Sequence, residues 1–234
     1  MTGPGYWAVV PAAGIGKRMG GDVPKQFLPL GKQTVLEHSL ESLLHTIKLK
    51  GLVLVSGGQP ALASIQERFS SYRLIRAAGG SERCHSVLNG LEALRDRAHV
   101  DDWVLVHDAA RPCVRQHDLH RLLDYVGSHP VGGLLGAPVH DTVKRADERG
   151  QVYATVDRTG LWQAHTPQMF RYGLLHDALR RALAEGYEVT DESSAMEHAG
   201  HRPLLVEGHA DNIKITRPDD LPLAEFFLSQ QGRL

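Results

Sequence analysis

The chain has only two cysteines, Cys84 and Cys113, in 234 residues. Two are too few for a disulfide framework, and no CxxC spacing is present to hold a metal or run redox chemistry. A reducing, cytoplasmic setting is the expectation. Excess charge of either sign is also missing: 26 Lys and Arg stand against 27 Asp and Glu, a formal net charge of −1. Nucleic acid is therefore not an expected partner, and any cationic site must be local. Nowhere do 18 apolar residues run together, and no charged segment followed by an apolar one opens the chain, so neither a membrane span nor secretion is expected. The 14 histidines are scattered, with no H-x-x-x-H pair on an acidic helix, and no zinc site is read from them. No G-x-S-x-G elbow and no motif around either cysteine offers a nucleophile. Repeats, low-complexity tracts and linker-like stretches are absent too, which predicts one domain over residues 1–234.

What is present is concentrated near the start. Tyr6 to Val10 is a short apolar run of the buried-strand type. It breaks into Ala12, Ala13, Gly14, Gly16, Gly20 and Gly21, with Lys17, Arg18 and Lys25 threaded through or just after. Glycines let the backbone approach an anion closely, and successive N–H groups form a nest for it. Neither standard phosphate motif is complete. Met19 stands where the dinucleotide fingerprint needs its third glycine; Arg18 follows Gly16-Lys17, and Pro11 occupies the first glycine position of a P-loop. The cluster Gly14, Gly16, Lys17, Arg18 and Lys25 suits a triphosphate, and polyphosphates normally bind with a divalent cation.

Further along, Thr34 and Glu37 form a capping box ahead of an amphipathic helix over about 34–48. Apolar strands are predicted at Leu52 to Val55, Trp103 to Val106, Gly132 to Val139 and Pro203 to Glu207, with a shorter one near Arg73 to Arg76. Helices are predicted around 60–69, Ser81 to Arg95, Asp118 to Val126, Tyr172 to Gly186 and Thr190 to Gly200, with a last one from near Pro218. This alternation predicts an α/β fold with a mostly parallel sheet covered on both faces. Ligands of such sheets sit outside the carboxyl ends of the strands. The glycine loop and His107–Arg111 both follow strands, so both belong on that edge. Residues 139–162 break the rhythm with a polar hairpin. It offers no apolar face to its own core, so it reads as an arm for a second subunit.

Asp108 is the best carboxylate for a divalent cation, or else it caps its turn or pairs with Arg111. Arg111 and Arg158 are candidates for a second anion, with Thr142 as a hydroxyl donor, and Lys214 sits beside a strand end. His117 and Asp118 read as solvated positions on a helix face. Phosphoryl or nucleotidyl transfer fits a chain without a nucleophile, because it rests on positioning and charge stabilisation.

Ten stretches, in order and at matching spacing, closely resemble the 2-C-methyl-D-erythritol 4-phosphate cytidylyltransferase family of the non-mevalonate isoprenoid pathway: PAAGIGKRM, PKQF, TVLEHSL, GGSER, WVLVHDAARP, APVHDTVKR, TVDRTGLW, TPQMF, TDESSAMEHAG and EGHADNIKITRPDDL. The resemblance implies a Rossmann-like nucleotidyltransferase fold, a homodimer and a divalent cation, usually Mg²⁺. By the same likeness, Ala12, Ala13, Gly14 and Gly16 would wrap CTP, and Arg18 and Lys25 would be catalytic at the α-phosphate. Gly80, Ser81 and Ser86 would hold the cytosine, with Ala109 also in the nucleotide site. Asp108 would meet the ribose and the metal. Thr142, Arg158 and Lys214, with Arg111 and Thr166, would bind methylerythritol phosphate, the first two from the arm of a partner subunit. Ser81 stands where many relatives carry Asp, Cys84-His85 where a small Ala-Asp pair is frequent, and His140 where arginine is frequent. The nearest alternative is a pentitol-phosphate enzyme acting on ribitol 5-phosphate; TVDRTGLW favours methylerythritol. A non-catalytic CTP sensor would be expected to lose Arg18 or Lys25, and a pure dimerisation module leaves the glycine-cation loop unexplained.

Overall fold

In the computed structural model, which describes residues 3–14, 23–58 and 62–234, the first apolar run is strand β1, Tyr6–Pro11. Successive strand residues face opposite ways, and β1 feeds two cores. Ala8 and Val10 pack with Leu36, Leu40 and Leu43 on one side; Trp7 and Val9 pack with Val87, Leu91 and Leu175 on the other. A strand buried on both faces needs no polar alternation, which is why its sequence reads as a continuous apolar run.

The remaining elements follow in order. The two-residue strands β2 (Pro29–Leu30) and β3 (Gln33–Thr34) form a small ribbon. Helix α1 (Val35–Thr46) starts at the predicted capping box, with both reciprocal bonds of Thr34 and Glu37 formed. Then come β4 (Leu49–Ser56), α2 (Leu62–Arg68), β5 (Leu74–Ala78), α3 (Arg83–Glu92), β6 (Trp103–Val106), α4 (Gln116–Val126) and β7 (Gly132–Pro138). The hairpin β8 (Val143–Ala146) and β9 (Val152–Val156) precedes β10 (Trp162–Arg171), α5 (Tyr172–Ala184), α6 (Glu192–His198), β11 (Leu204–Glu207) and α7 (Asp220–Gln230).

Seven strands form one sheet in the order β11-β7-β10-β6-β1-β4-β5. β1 pairs in parallel with β4 on one side and β6 on the other, so the strand order reverses there. That reversal opens a crevice at the carboxyl ends of β1 and β6. Among the described strands of this sheet, only β10 runs against its neighbours, antiparallel to both β6 and β7. Residues 162–171 carry no legible strand signal, because Pro167 and the polar His165, Thr166 and Gln168 interrupt any apolar pattern. The strand accommodates them with an irregularity between Ala164 and Gln168. Its reversed direction brings Ala164, His165 and Thr166 to the edge where the parallel strands end.

One expectation is overturned here. Asp118 is fully buried rather than solvated, because its carboxylate accepts from the main-chain N–H of His209 at 2.9 Å and meets the His209 ring at 2.8 Å. His117 is exposed, as expected. The hairpin forms a two-stranded sheet of its own, and Val152 and Tyr153 on it are 60% and 64% exposed. Among the described residues, no helix is long and apolar enough to cross a membrane.

Asp102 fastens the base of the sheet. Its buried carboxylate accepts from the Trp7 indole at 2.9 Å, from the Gly5 N–H at 2.7 Å, from the His99 N–H at 3.1 Å and from Lys50. Burial alone would raise this carboxyl, but those bonds outweigh it and hold it below the usual range. A depressed carboxyl contributes stability above its unfolded value, near 3.9, and loses it as pH falls through the folded value. Asp102→Asn is therefore expected to cost about 1.5–3 kcal/mol at pH 7. In urea unfolding, the gap to the wild type should narrow below about pH 4.

Candidate active site

The crevice at the strand ends is built from three loops. After β1, the N–H of Ala12 donates to the Val55 carbonyl at 2.7 Å. The buried Gln26 then donates to the carbonyls of Ala12 at 2.6 Å and Gly14 at 2.9 Å. Gln26 sits in the short 3₁₀ turn Lys25–Phe27, so the same turn that braces the loop also places Lys25. The Lys25 ammonium donates to the Ile215 carbonyl at 2.7 Å. Gly16, Lys17 and Arg18 lie outside the described residues.

The second loop follows β5. A Cβ on Gly79 would come within 2.3 Å of the Ala13 Cβ, and one on Gly80 within 2.4 Å of the His85 Cβ. Both glycines are therefore required by close approach: Gly79 lets this loop lie against the first, and Gly80 lets it fold back onto the start of α3. The Ser86 hydroxyl accepts from the Gly80 N–H at 3.0 Å and donates to the Glu82 carbonyl at 3.1 Å. Ser86 thus closes the loop. Ser81 is exposed and meets the His85 ring at 3.2 Å.

The third loop follows β6 and carries Asp108. Its Oδ1 accepts from Arg83 Nε at 2.7 Å and its Oδ2 from Lys214 at 2.8 Å, with Arg111 Nε at 3.6 Å. Burial would raise this carboxyl, but Arg83, Lys214 and Arg111 hold it far below the ordinary range. Asp108 is therefore ionised. Behind it, Arg83 forks onto both oxygens of the fully buried Glu192 at 2.6 and 3.0 Å. Burial pushes the Glu192 carboxyl up against the opposing pull of Arg83, while Arg83, half-buried, is held charged by Glu192 and Asp108.

The main-chain N–H of Asp108 donates to Thr166 Oγ1 at 3.0 Å. That hydroxyl lies 3.0 Å from His107 Nδ1, and His107 Nε2 lies 3.1 Å from the Arg111 carbonyl. Burial pushes His107 down to about 4, so the ring is neutral near pH 7. A carbonyl can only accept; Nε2 therefore carries the proton and Nδ1 accepts from Thr166. Arg111 also donates to the Asn212 carbonyl at 2.6 Å, which ties the segment leading to Lys214 to the same point.

Two adjoining cavities result. One, of about 380 Å³, is lined by Ala12–Gly14, Lys25, Gly80–Arg83, Ser86 and Ala109. The other, of about 280 Å³, is lined by Arg111, His165, Thr166, Gln168 and Asp191. Arg83, Asp108 and Lys214 line both and form the partition. His165 is pushed down to about 4 by burial and by Arg111, and its buried Nδ1 finds no hydrogen-bond partner among the described residues. Most residues expected in the site thus converge. Thr142 and Arg158 do not: they lie on the exposed arm and line neither cavity, and Arg158 donates to the His140 carbonyl at 2.6 Å. Sequence reasoning missed the roles of Gln26, Glu192 and His165. In the sequence Glu192 reads as an ordinary acidic residue of a first helical turn.

A strand-order reversal with a glycine loop, a cation-ringed carboxylate and two joined cavities defines a Rossmann-like nucleotidyltransferase. The sequence model of the 2-C-methyl-D-erythritol 4-phosphate cytidylyltransferase (IspD) family matches residues 6–230. A relative of that name from Pseudomonas entomophila (strain L48) is 56% identical over 220 residues, 93% of each chain. A crystal structure of 4-diphosphocytidyl-2C-methyl-D-erythritol synthase superposes with a TM-score of 0.84 at 39% identity, covering 97% of this chain and 100% of that one. The Francisella tularensis 2-C-methyl-D-erythritol 4-phosphate cytidylyltransferase structure gives a TM-score of 0.80 at 32% identity, covering 96% and 100%. The chain belongs to the 2-C-methyl-D-erythritol 4-phosphate cytidylyltransferase family.

Proposed function

We propose that this protein condenses CTP with 2-C-methyl-D-erythritol 4-phosphate, giving 4-diphosphocytidyl-2-C-methyl-D-erythritol and pyrophosphate for isoprenoid precursor synthesis. The observation that carries the reading is the partition: one ionised carboxylate, Asp108, held by Arg83, Arg111 and Lys214 between two cavities. Three cations against two carboxylates, Asp108 and Glu192, still leave positive charge for phosphates arriving from either side.

The triphosphate occupies the larger cavity, along Ala12 to Gly14, with its base toward Gly80, Ser81 and Ser86. The polyol phosphate occupies the smaller one, against Arg111, Thr166 and Lys214. A phosphate oxygen of the polyol attacks the α-phosphorus in line; the new O–P bond forms as the bond to the β-phosphate breaks, and pyrophosphate leaves with the electron pair. Lys25 and Arg18 oppose the charge that builds on the α-phosphate oxygens and the leaving group. The neutral His107, locked by Thr166 and the Arg111 carbonyl, holds the floor of the site without adding charge.

A divalent cation such as Mg²⁺ fits the donor set. Magnesium is commonly held by one or two carboxylates together with substrate phosphates, and Asp108 is an ionised carboxylate facing the nucleotide cavity. Its Oδ2 partner Lys214 is 37% exposed on a flexible stem and can turn to a substrate phosphate. Bound there, the ion would supply charge neutralisation at the triphosphate. The exposed arm, with Val152 and Tyr153 uncovered, pairs two subunits in a cytoplasmic homodimer, each lending Thr142 and Arg158 to the other's polyol phosphate. In this reading residues 1–234 work as a single domain.

Pyrophosphate release tests the assignment. With CTP and magnesium, turnover is expected with methylerythritol 4-phosphate and not with ribitol 5-phosphate. The opposite preference would move the protein to the pentitol-phosphate enzymes.

A further inference from the structure

A second cluster of metal-ligating side chains lies outside the active site. Asp118, in the first turn of α4, is fully buried and has no part in the reaction described above. Its Oδ2 is fixed by the His209 N–H at 2.9 Å. Residue 208 is glycine, and a Cβ there would stand in a tight 3.3 Å contact with that same Asp118 oxygen. Its Oδ1 faces two imidazoles, with His209 Nδ1 at 2.8 Å and His117 Nδ1 at 3.6 Å. The three ligand atoms lie within 4.8 Å of one another, and the two rings meet edge to face.

We propose that His117, Asp118 and His209 form a binding site for a divalent transition ion of the zinc class, separate from the nucleotide site. Two imidazole nitrogens and one carboxylate oxygen are a donor set for zinc, copper or nickel rather than for magnesium, which takes oxygen. Ligands of a shared ion stand about 3 Å apart when each bond is near 2 Å, and the spacings of Asp118 Oδ1 to the two nitrogens bracket that value. The carboxylate is oriented in advance by a main-chain N–H, as metal-binding carboxylates generally are. The His117 side chain is 68% exposed, which leaves an entry path and open positions for water. No sequence spacing reveals the site, since Asp118 and His209 are 91 residues apart. The ion also has a structural consequence. His209 begins the segment that carries Asn212 to Arg111 and Lys214 to Asp108, so metal bridging would pin that segment to α4.

The test uses metal-free, full-length protein carrying Cys84→Ser. That change removes the thiol of the Glu82, Cys84 and His85 grouping beside the nucleotide cavity, a separate potential zinc binder. The protein is titrated with zinc by calorimetry and with cobalt(II) by visible absorption. One zinc site with a cobalt d–d band is expected. In His117→Ala and in His209→Ala, both of which alter exposed rings, zinc should bind more weakly by at least the roughly 10–100-fold seen when an outer-shell partner is lost, and the cobalt band should vanish. His120→Ala, an exposed histidine on the same helix, should bind as the parent does. Equal zinc isotherms in the parent, His117→Ala and His209→Ala, or a parent that binds no zinc, would overturn the site.

Discussion

Lys25→Ala is expected to leave the protein folded and to lower kcat by roughly 10²–10³-fold, the usual effect of removing one fixed group that stabilises developing charge. The side chain is half-buried, and its ammonium rests on the Ile215 carbonyl beside Lys214. Truncation removes a charge-assisted bond to that carbonyl, and the stability change is expected to stay within about 1.5–3 kcal/mol. The position of residue 25 is held by its neighbour, since Gln26 grips the carbonyls of Ala12 and Gly14. That bracing survives the substitution, so the loop keeps its shape and KM for CTP should change far less than kcat. Arg18→Ala is expected to behave in the same way. Thermal unfolding together with steady-state kinetics checks both, and unchanged turnover in a folded Lys25→Ala protein would remove Lys25 from the catalytic role.

The second large effect is expected at Glu192, which touches no substrate in this account. It fixes Arg83, and Arg83 in turn fixes Asp108. Glu192→Ala leaves a half-buried guanidinium without its forked partner, at a cost of about 3 kcal/mol, the low end for a broken buried pair. That loss alone would also follow from a purely structural ion pair. The double variant Arg83→Met/Glu192→Leu separates the two roles. Replacing both charges by apolar groups of similar size commonly restores stability, but it cannot restore the bond from Arg83 to Asp108. Urea unfolding should show most of the stability recovered, while turnover stays on the order of 10²-fold down because the partition is misplaced. Recovery of stability and turnover together would reduce the pair to packing.

Much of this was legible in the sequence where the signal is local. The run Tyr6 to Val10, the Thr34 and Glu37 capping box and the Trp103–Val106 strand each declare themselves within a few residues, and all three form. Lys25, Asp108, Arg111, Thr166 and Lys214 gather as expected, because strand ends on one edge of a sheet must meet. What stayed hidden depends on partners far away in the chain. Strand β10 looks like a loop because its polar residues face the site rather than water. Asp118 looks solvated until His209 arrives to cover it. Glu192 resembles a helix-dipole residue, and only the fold shows that it is the counter-charge for Arg83, 109 residues away. Thr142 and Arg158 lie on the arm, away from both cavities of their own chain, which is why their proposed role depends on a second subunit.

The most direct test of the central claim follows label through the reaction. Protein, magnesium and methylerythritol 4-phosphate are incubated with CTP labelled either at the α-phosphorus or at the γ-phosphorus. Cleavage between the α- and β-phosphates at the Asp108 partition predicts that the α label enters the diphosphocytidyl polyol and the γ label enters pyrophosphate, in equal amounts and only when both substrates are present. Release of the α label as free nucleotide, or transfer of the γ label to the polyol phosphate, would contradict it.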